Sequence, residues 1–373
     1  MEQETNSWYH IRNIESIDSP ALVLYPKRIA ENIDLVKSMI DDVDRLRPHV
    51  KTNKCRETMS MMVDAGIYKF KCATIPEAET LAACNAKEIL LAYQPVAPRL
   101  ERLITLIKKY PSIRFACLVD NKETAQHISD ACSAENIQLS VYLDIDLGMH
   151  RTGIAPGDEA LELYTFCAAL PGITPVGLHA YDGHIRNPDI GERTVSCNEA
   201  FAAVESLKSR IMAKGLPQPV IVAGGSPTFP IHASRKEIEC SPGTFIYWDK
   251  GYSTVCAEQP FLTAAVLVTR VISTPGDTRI CLDLGHKGVA AENELAKRAF
   301  FLNASNLKPV LQSEEHLVLE AGPNHGYKVG DVLYALPYHV CPTVALYERA
   351  YIAEDNMITG EWKTIARDRR IVY

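Results

Sequence analysis

The chain has 373 residues, 47% of them hydrophobic and 23% charged, an ordinary globular composition with material for a barrel-sized domain and a second domain. A formal charge of −7 argues against nucleic acid or an anionic membrane as partner. The stretch Met1 to Tyr9 is polar and lacks the apolar core of a signal peptide, the longest apolar runs (such as Phe261 to Val268) are far too short to span a bilayer, and the 11 cysteines follow no framework spacing, so reduced thiols and a cytoplasmic protein are expected.

In chain order, the first 20 or so residues precede a helix at 26–40 and are expected to join the second domain. From Leu46 to about Gly243, apolar β-branched-rich runs alternate with longer amphipathic stretches. Strands are predicted at 46–50, 70–74, 88–93, 114–119, 139–146, 173–181, 219–224 and 238–242. Helices are predicted at 57–66, 76–86, 97–109, 121–135, 157–169 and 193–214, with 228–236 short for one. Strand–helix alternation implies parallel pairing with crossovers, and eight such units point to a closed (β/α)8 TIM barrel rather than an open doubly wound sheet. After Tyr252 strand-like runs follow one another at 261–273, 278–284, 298–303, 308–320, 331–338 and 345–353, which reads as a mainly antiparallel β domain. The division is therefore 21–252 for the barrel and 253–373, with 1–20, for the β domain.

Barrel chemistry sits at the carboxyl ends of the strands. Lys51 follows the first strand, in RPHVKTNK; Arg151 follows the fifth, in DIDLGMHRTG; Tyr181 and His184 end the sixth, in HAYDGH. Gly225, Ser226 and Thr228 follow the seventh, and Gly243 and Thr244 the eighth. A lysine at a strand end is usually a solvated surface residue. One held in a partly desolvated rim has a lowered pKa and can condense with a carbonyl cofactor; Lys54, further into the loop, is its competitor. Glycines and hydroxyls after strands seven and eight suit a phosphate, although most such segments are plain turns. Arg151 suits a phenolic oxygen or a carboxylate, against the alternative of a surface salt bridge. Tyr181 suits a cofactor ring, against a core aromatic. His184 suits acid–base work, against a structural histidine. In the β domain, His339 and Cys341 stand two apart in PYHVCPTV. In an extended segment both side chains face one way, and imidazole with thiolate is good zinc chemistry with positions left open for water and substrate. His286, His316 and His325 have no comparable spacing and read as structural.

Together these residues resemble the fold-type III pyridoxal-phosphate enzymes, specifically the D-threonine aldolase and D-serine dehydratase group, over nearly the whole chain. RPHVKTNK looks like the group's cofactor-lysine motif, which implies attachment at Lys51; the motif commonly has a histidine where this chain has Asn53. CATIPEAE (72–79) resembles the next strand and helix. The resemblance implies cofactor contacts from Arg151 and Tyr181, a role for His184, phosphate loops at GGSPT and SPGT, and a divalent-metal site, Zn2+ or Mn2+, at His339 and Cys341. It implies an alanine-racemase-like architecture, a homodimer and a small D-amino acid substrate. The activity implied is a D-threonine aldolase giving glycine and acetaldehyde. The alternative is a zinc-dependent D-serine dehydratase giving pyruvate and ammonia, which the cysteine at 341 favours. An amino-acid racemase would need a second base in place of a metal site, and a non-catalytic cofactor carrier would lack the β domain.

Overall fold

The computed structural model describes residues 7–370; what the sequence suggests for Met1–Asn6 and Ile371–Tyr373 lies outside the described residues. The regular elements begin with β1 (Ala21–Leu24) and α1 (Pro26–Ser38). The alternation then runs α2 (Arg56–Asp64), β2 (Lys69–Cys72), α3 (Ile75–Ala83), β3 (Glu88–Leu91), α4 (Pro98–Lys109), β4 (Arg114–Val119), α5 (Lys122–Ala134) and β5 (Leu139–Asp144). It continues with α6 (Asp158–Ala168), β6 (Ile173–Ala180), α7 (Ile190–Ala213), β7 (Val220–Ala223), α8 (Phe229–Ala233) and β8 (Ile238–Cys240). Helix starts are marked by side chains that accept an otherwise orphaned backbone N–H: Thr74 at α3, Asn121 at α5 and Asp189 at α7.

Strands β2 to β8 pair in sequence order, each parallel to the next. The segment before α2 closes the ring: Leu46 bridges Cys240 and His49 bridges Lys71, both in parallel. The sequence predicts a full strand at 46–50. The structure has an extended link over 46–49 and a tight 3-10 turn at Val50–Thr52. The link rests on Arg47 N–H to Cys240 O (2.8 Å), His49 N–H to Pro242 O (3.0 Å) and Lys71 N–H to Pro48 O (2.9 Å). Pro48 and Pro242 have no N–H to give, so a regular ladder cannot form there.

Alternate side chains of the strands point into the barrel and stack in layers. At the amino-terminal end, buried Arg47 pairs with Glu239 (2.6 Å) and Glu88 (2.8 Å), and Lys69 also reaches Glu239 (2.7 Å). An apolar layer of Leu90, Ala116, Tyr142 and Val222 follows. Gly177 makes room for it, since a Cβ there would lie 2.4 Å from the Tyr142 ring. Two residues further along their strands come Lys71, Asp144 and His179, and beyond them the rim.

Over the described residues the chain groups into two compact units, 7–34 with 52–58 and 244–367, and 35–51 with 59–243 and 368–370. The first holds α9 (Lys250–Val255), β9 (Ala265–Ser273), β10 (Arg279–Leu282), β11 (Ala299–Phe301), β12 (Lys308–Gln312), β13 (Leu317–Glu320), β14 (Val332–Pro337), α10 (Val340–Val344), β15 (Arg349–Glu354) and β16 (Met357–Lys363). Its sheet runs β12-β13-β10-β9-β1-β15-β16, with β14 on β9 and β11 on β14. Every pair is antiparallel except β1 with β15. Ile11, Ile17 and Val23 pack with Val266, Val268 and Tyr334 in one core. Ala21–Leu24, which the sequence division counts with the barrel, are thus a central strand of this sheet. The single run predicted at 308–320 is a hairpin, β12 and β13; α9 and β16 have no counterpart in the prediction. Among the described residues no helix is long and apolar enough to cross a membrane.

Candidate active site

A cavity of about 570 Å³ opens at the carboxyl end of the barrel. Lys51, half-buried, lines it with Arg151 and Tyr181. The Lys51 backbone N–H donates to His49 Nδ1 at 3.2 Å, which fixes the turn that carries the side chain. Three cationic groups surround the Tyr181 ring: Lys51 Nζ at 5.9 Å from its centroid, Lys71 Nζ at 5.4 Å and the Arg151 guanidinium at 5.0 Å. Three residues named from the sequence therefore meet in one place.

Lys71 was not among them. It is 2% exposed. Its ammonium donates to Ser241 Oγ at 2.6 Å and lies 3.3 Å from His179 Nε2. His179 Nδ1 is 2.7 Å from Asp144 Oδ1. The carboxylate can only accept, so Nδ1 carries the imidazole proton and Nε2 accepts from Lys71. Burial first, then the charge of Lys51, lower the Lys71 pKa to about 7, against the pull of Asp144 and Asp182. Burial and the Lys71 charge lower that of His179 as well. The sequence signal was a lysine between Phe70 and Cys72 in a strand that crossovers cover on its outer face, where the polar side must look inward.

The loop after β7 is tightly built. Gly224 has φ +77°, in the left-handed region, and a Cβ on Gly225 would sit 3.2 Å from the Tyr181 ring. Gly243 N–H points at Ser226 Oγ at 3.4 Å. Thr228, fully buried, donates to Asp182 (2.7 Å) and accepts from Gly225 N–H (3.3 Å), so its hydroxyl braces the loop. Thr244 groups with the other compact unit, its Oγ1 3.7 Å from Cys341 Sγ. Lys54 groups there too. His184 is exposed on the turn after β6, its ring over Gly148, and does not line the cavity.

Behind the loop, Asp182, Cys197 and His232 bring one ligand-type atom each within 4.8 Å of one another. Arg235 Nη1 lies 2.6 Å from His232 Nδ1 and can only donate, so His232 Nε2 carries the proton directed at Asp182 (2.8 Å). Burial pushes the Cys197 thiol up to about 11, which keeps it protonated. These are the marks of a closed hydrogen-bond network. Burial raises the Asp182 pKa, but the bonds from His232 and Thr228 outweigh it and hold the carboxyl below its ordinary value. A carboxyl depressed in the fold contributes stability that is present above its unfolded pKa and lost as pH falls through the folded one. Unfolding on acidification should therefore steepen below about pH 4, and Asp182→Asn should flatten that limb. A midpoint-against-pH series checks this; equal slopes in both proteins would refute it.

The His-x-Cys segment is helical, not extended as predicted. His339 is the cap residue of α10 and Cys341 lies in its first turn. Asp249 accepts the Val340 N–H (3.0 Å) and also caps α9 through Tyr252 N–H (2.8 Å), while Pro342 fits a first helical turn. Gly251 allows the approach, since a Cβ there would lie 2.5 Å from Tyr338 O. The two side chains still meet. Burial lowers the His339 pKa, yet hydrogen bonds to Cys341 and to Glu292 (2.6 Å from Nδ1) raise it to about 9. Thr52 Oγ1 lies 3.1 Å from Cys341 Sγ. With Nδ1 committed to Glu292, Nε2 is left to act beside the sulfur, the usual arrangement of an oriented imidazole ligand.

The donor sets fit the groups expected from the sequence. A primary amine stands in a cavity whose cations outnumber its one carboxylate, Asp144, as an anionic carbonyl cofactor requires. An oriented imidazole beside a thiol suits a divalent ion.

The profile described as "Alanine racemase, N-terminal domain" matches residues 25–250, and one described as "Putative serine dehydratase domain" matches 264–353. A D-threonine aldolase of Arthrobacter sp is 27% identical over 359 residues, covering 94% of this chain and 93% of the relative. A D-threo-3-hydroxyaspartate dehydratase of Delftia sp. (strain HT23) is 24% identical over 374 residues, covering 93% and 97%. The crystal structure of D-threonine aldolase from Filomicrobium marinum superposes with a TM-score of 0.85 at 23% identity, covering 94% of this chain and 95% of that one.

Proposed function

The chain belongs to the family described as alanine racemase, N-terminal domain, and from that premise and the geometry of the rim we propose a pyridoxal-phosphate- and divalent-metal-dependent lyase acting on D-β-hydroxy-amino acids, of the D-threonine aldolase type. The observation that carries the reading is the Lys51 amine sharing one aromatic ring with Arg151 and a second lysine. Lys51 holds the cofactor, Arg151 and Tyr181 orient it, and Gly225, Ser226, Thr228, Gly243 and Thr244 form its phosphate loops, with Thr228 acting by bracing its own. His339 and Cys341 hold Zn2+ or Mn2+. The bound cofactor supplies an electron sink for charge developing at Cα, and a divalent ion supplies Lewis acidity at the substrate hydroxyl. In the aldolase His184 takes the hydroxyl proton, directly or through water, as the Cα–Cβ bond breaks. The reading carries with it a homodimer and a cytoplasmic location.

Two observations favour a second reading. The thiol of Cys341 suits zinc better than manganese, and residues 264–353 match the dehydratase-type profile. A D-serine dehydratase would use Lys51 to remove the α-proton while the β-hydroxyl leaves.

The test is product identity. Purified protein is incubated with D-threonine and D-serine, with Zn2+ or Mn2+ and with a chelator. Glycine with acetaldehyde from D-threonine, lost on chelation, is the expected result. A keto acid with ammonia gives the second reading, and neither product from either substrate rejects both. Turnover undiminished by chelation rejects the metal.

A further inference from the structure

Lys71 is buried beneath the rim, and among the described residues no anion is in direct contact with it. Its two hydrogen-bond partners, Ser241 Oγ and His179 Nε2, are neutral groups. Asp144 is engaged by His179 at 2.7 Å, and Asp182 by His232 and Thr228. Below its pKa of about 7 the amine is an ammonium with three N–H donors. Two are used, and the third has no acceptor among the described residues, although Lys71 lines the cavity. A buried cation left short of an acceptor is costly, and lysine is almost never fully buried unless it is paired or has a task.

The barrel's layering says where that task lies. His49 is the bridge partner of Lys71, and Lys51 follows His49 in the turn over Val50–Thr52, lining the same cavity beside Tyr181. Tyr181 stands two beyond His179, its ring stacked over the imidazole at 6.5 Å and 9°. Lys71 and His179 thus form the floor, and Lys51 and Tyr181 the rim. Ser241 in turn donates to Gly224 O at 2.9 Å, so the floor is tied to the loop after β7.

We propose that Lys71 is a cofactor-binding residue, donating its remaining N–H from the floor of the cavity to an electron-rich ring atom or ring oxygen of pyridoxal phosphate carried on Lys51. His179 and Asp144 are its positioning residues, holding the amine upright and steady. The inference rests on the pyridoxal-phosphate reading above. Other charged and titratable groups face Lys71 as well, namely Lys51, Arg151, Asp182 and His49, and each stays in place in the variants below.

The experiment is a pH titration of the absorbance of cofactor-loaded protein, with cofactor affinity measured alongside, for the parent, Lys71→Met and Lys71→Arg. Removing a cation next to the cofactor favours its protonated forms. Lys71→Met should move the absorbance midpoint upward by a pH unit or more and weaken cofactor binding about 10-fold or more. Lys71→Arg should restore most of the midpoint. Ser241→Ala loosens the anchor without removing the charge and should give a smaller shift; it also serves if Lys71→Met does not fold. Folded variants with parental midpoint and affinity overturn the proposal. So does a Lys71→Met protein that binds cofactor as the parent does but no longer binds D-amino acids, since the acceptor would then be the substrate carboxylate. A parent that takes up no pyridoxal phosphate rejects the underlying reading instead.

Discussion

Lys51→Ala is expected to remove the visible absorbance of the bound cofactor and to lower turnover by about 1,000-fold, the order of loss for a single group that takes part in the chemistry. The expectation follows from what the residue touches. Its amine is placed over Tyr181 at 5.9 Å by a turn whose backbone is bonded to His49. A second amine stands in the same cavity, but Ser241 and His179 hold Lys71 in the layer below. Borohydride reduction of the loaded parent followed by peptide mapping should mark Lys51 and not Lys71. In the variant neither should be marked. Label on Lys71 in the parent would move the attachment point and sink the assignment of Lys51.

Arg47→Met should cost about 3 kcal/mol of stability, the lower end for removing one partner of a buried ion pair. Arg47 is 2% exposed at the amino-terminal end of the barrel, between Glu239 and Glu88. Without it those carboxylates remain where water cannot fully reach them. Lys69 stays on Glu239 and Arg114 on Glu88, which is why the loss stays near the lower end. Denaturant unfolding at constant slope measures it. A change under about 1 kcal/mol would mean the pair behaves like one at the surface.

The strand–helix order was legible because each barrel strand is a short apolar run bounded by turn residues, and the meeting of Lys51, Arg151 and Tyr181 at one cavity followed from chain position, whereas His184 does not line it. Lys71, His179 and Asp144 were not read because a charged residue in a strand is ordinarily assigned to the solvent face. Only closure of the barrel, with helices outside, leaves the interior as the place for it. The helical turn at His339–Cys341 was missed for a different reason. Spacing of two puts both side chains on one face only if the segment is extended, whereas Pro342 is at home in a first helical turn, and the carboxylate that caps it comes from Asp249, some 90 positions away in sequence. Thr228 looked like a phosphate donor because nothing local reveals that Asp182 already holds its hydroxyl.

The link at 46–49 bears on more than topology. Every other neighbouring pair in the ring is stitched by a ladder, but here two prolines leave three backbone bonds and two bridges to join β8 to β2. The barrel therefore has a seam, and Lys51 hangs from its end. A residue proposed to let go of a carbonyl and take it back in every cycle is thus attached where the wall is joined by the fewest backbone bonds, while the side chains of Arg47 and Lys71 at that seam are tied inward to Glu239 and Glu88 and to Ser241 and His179.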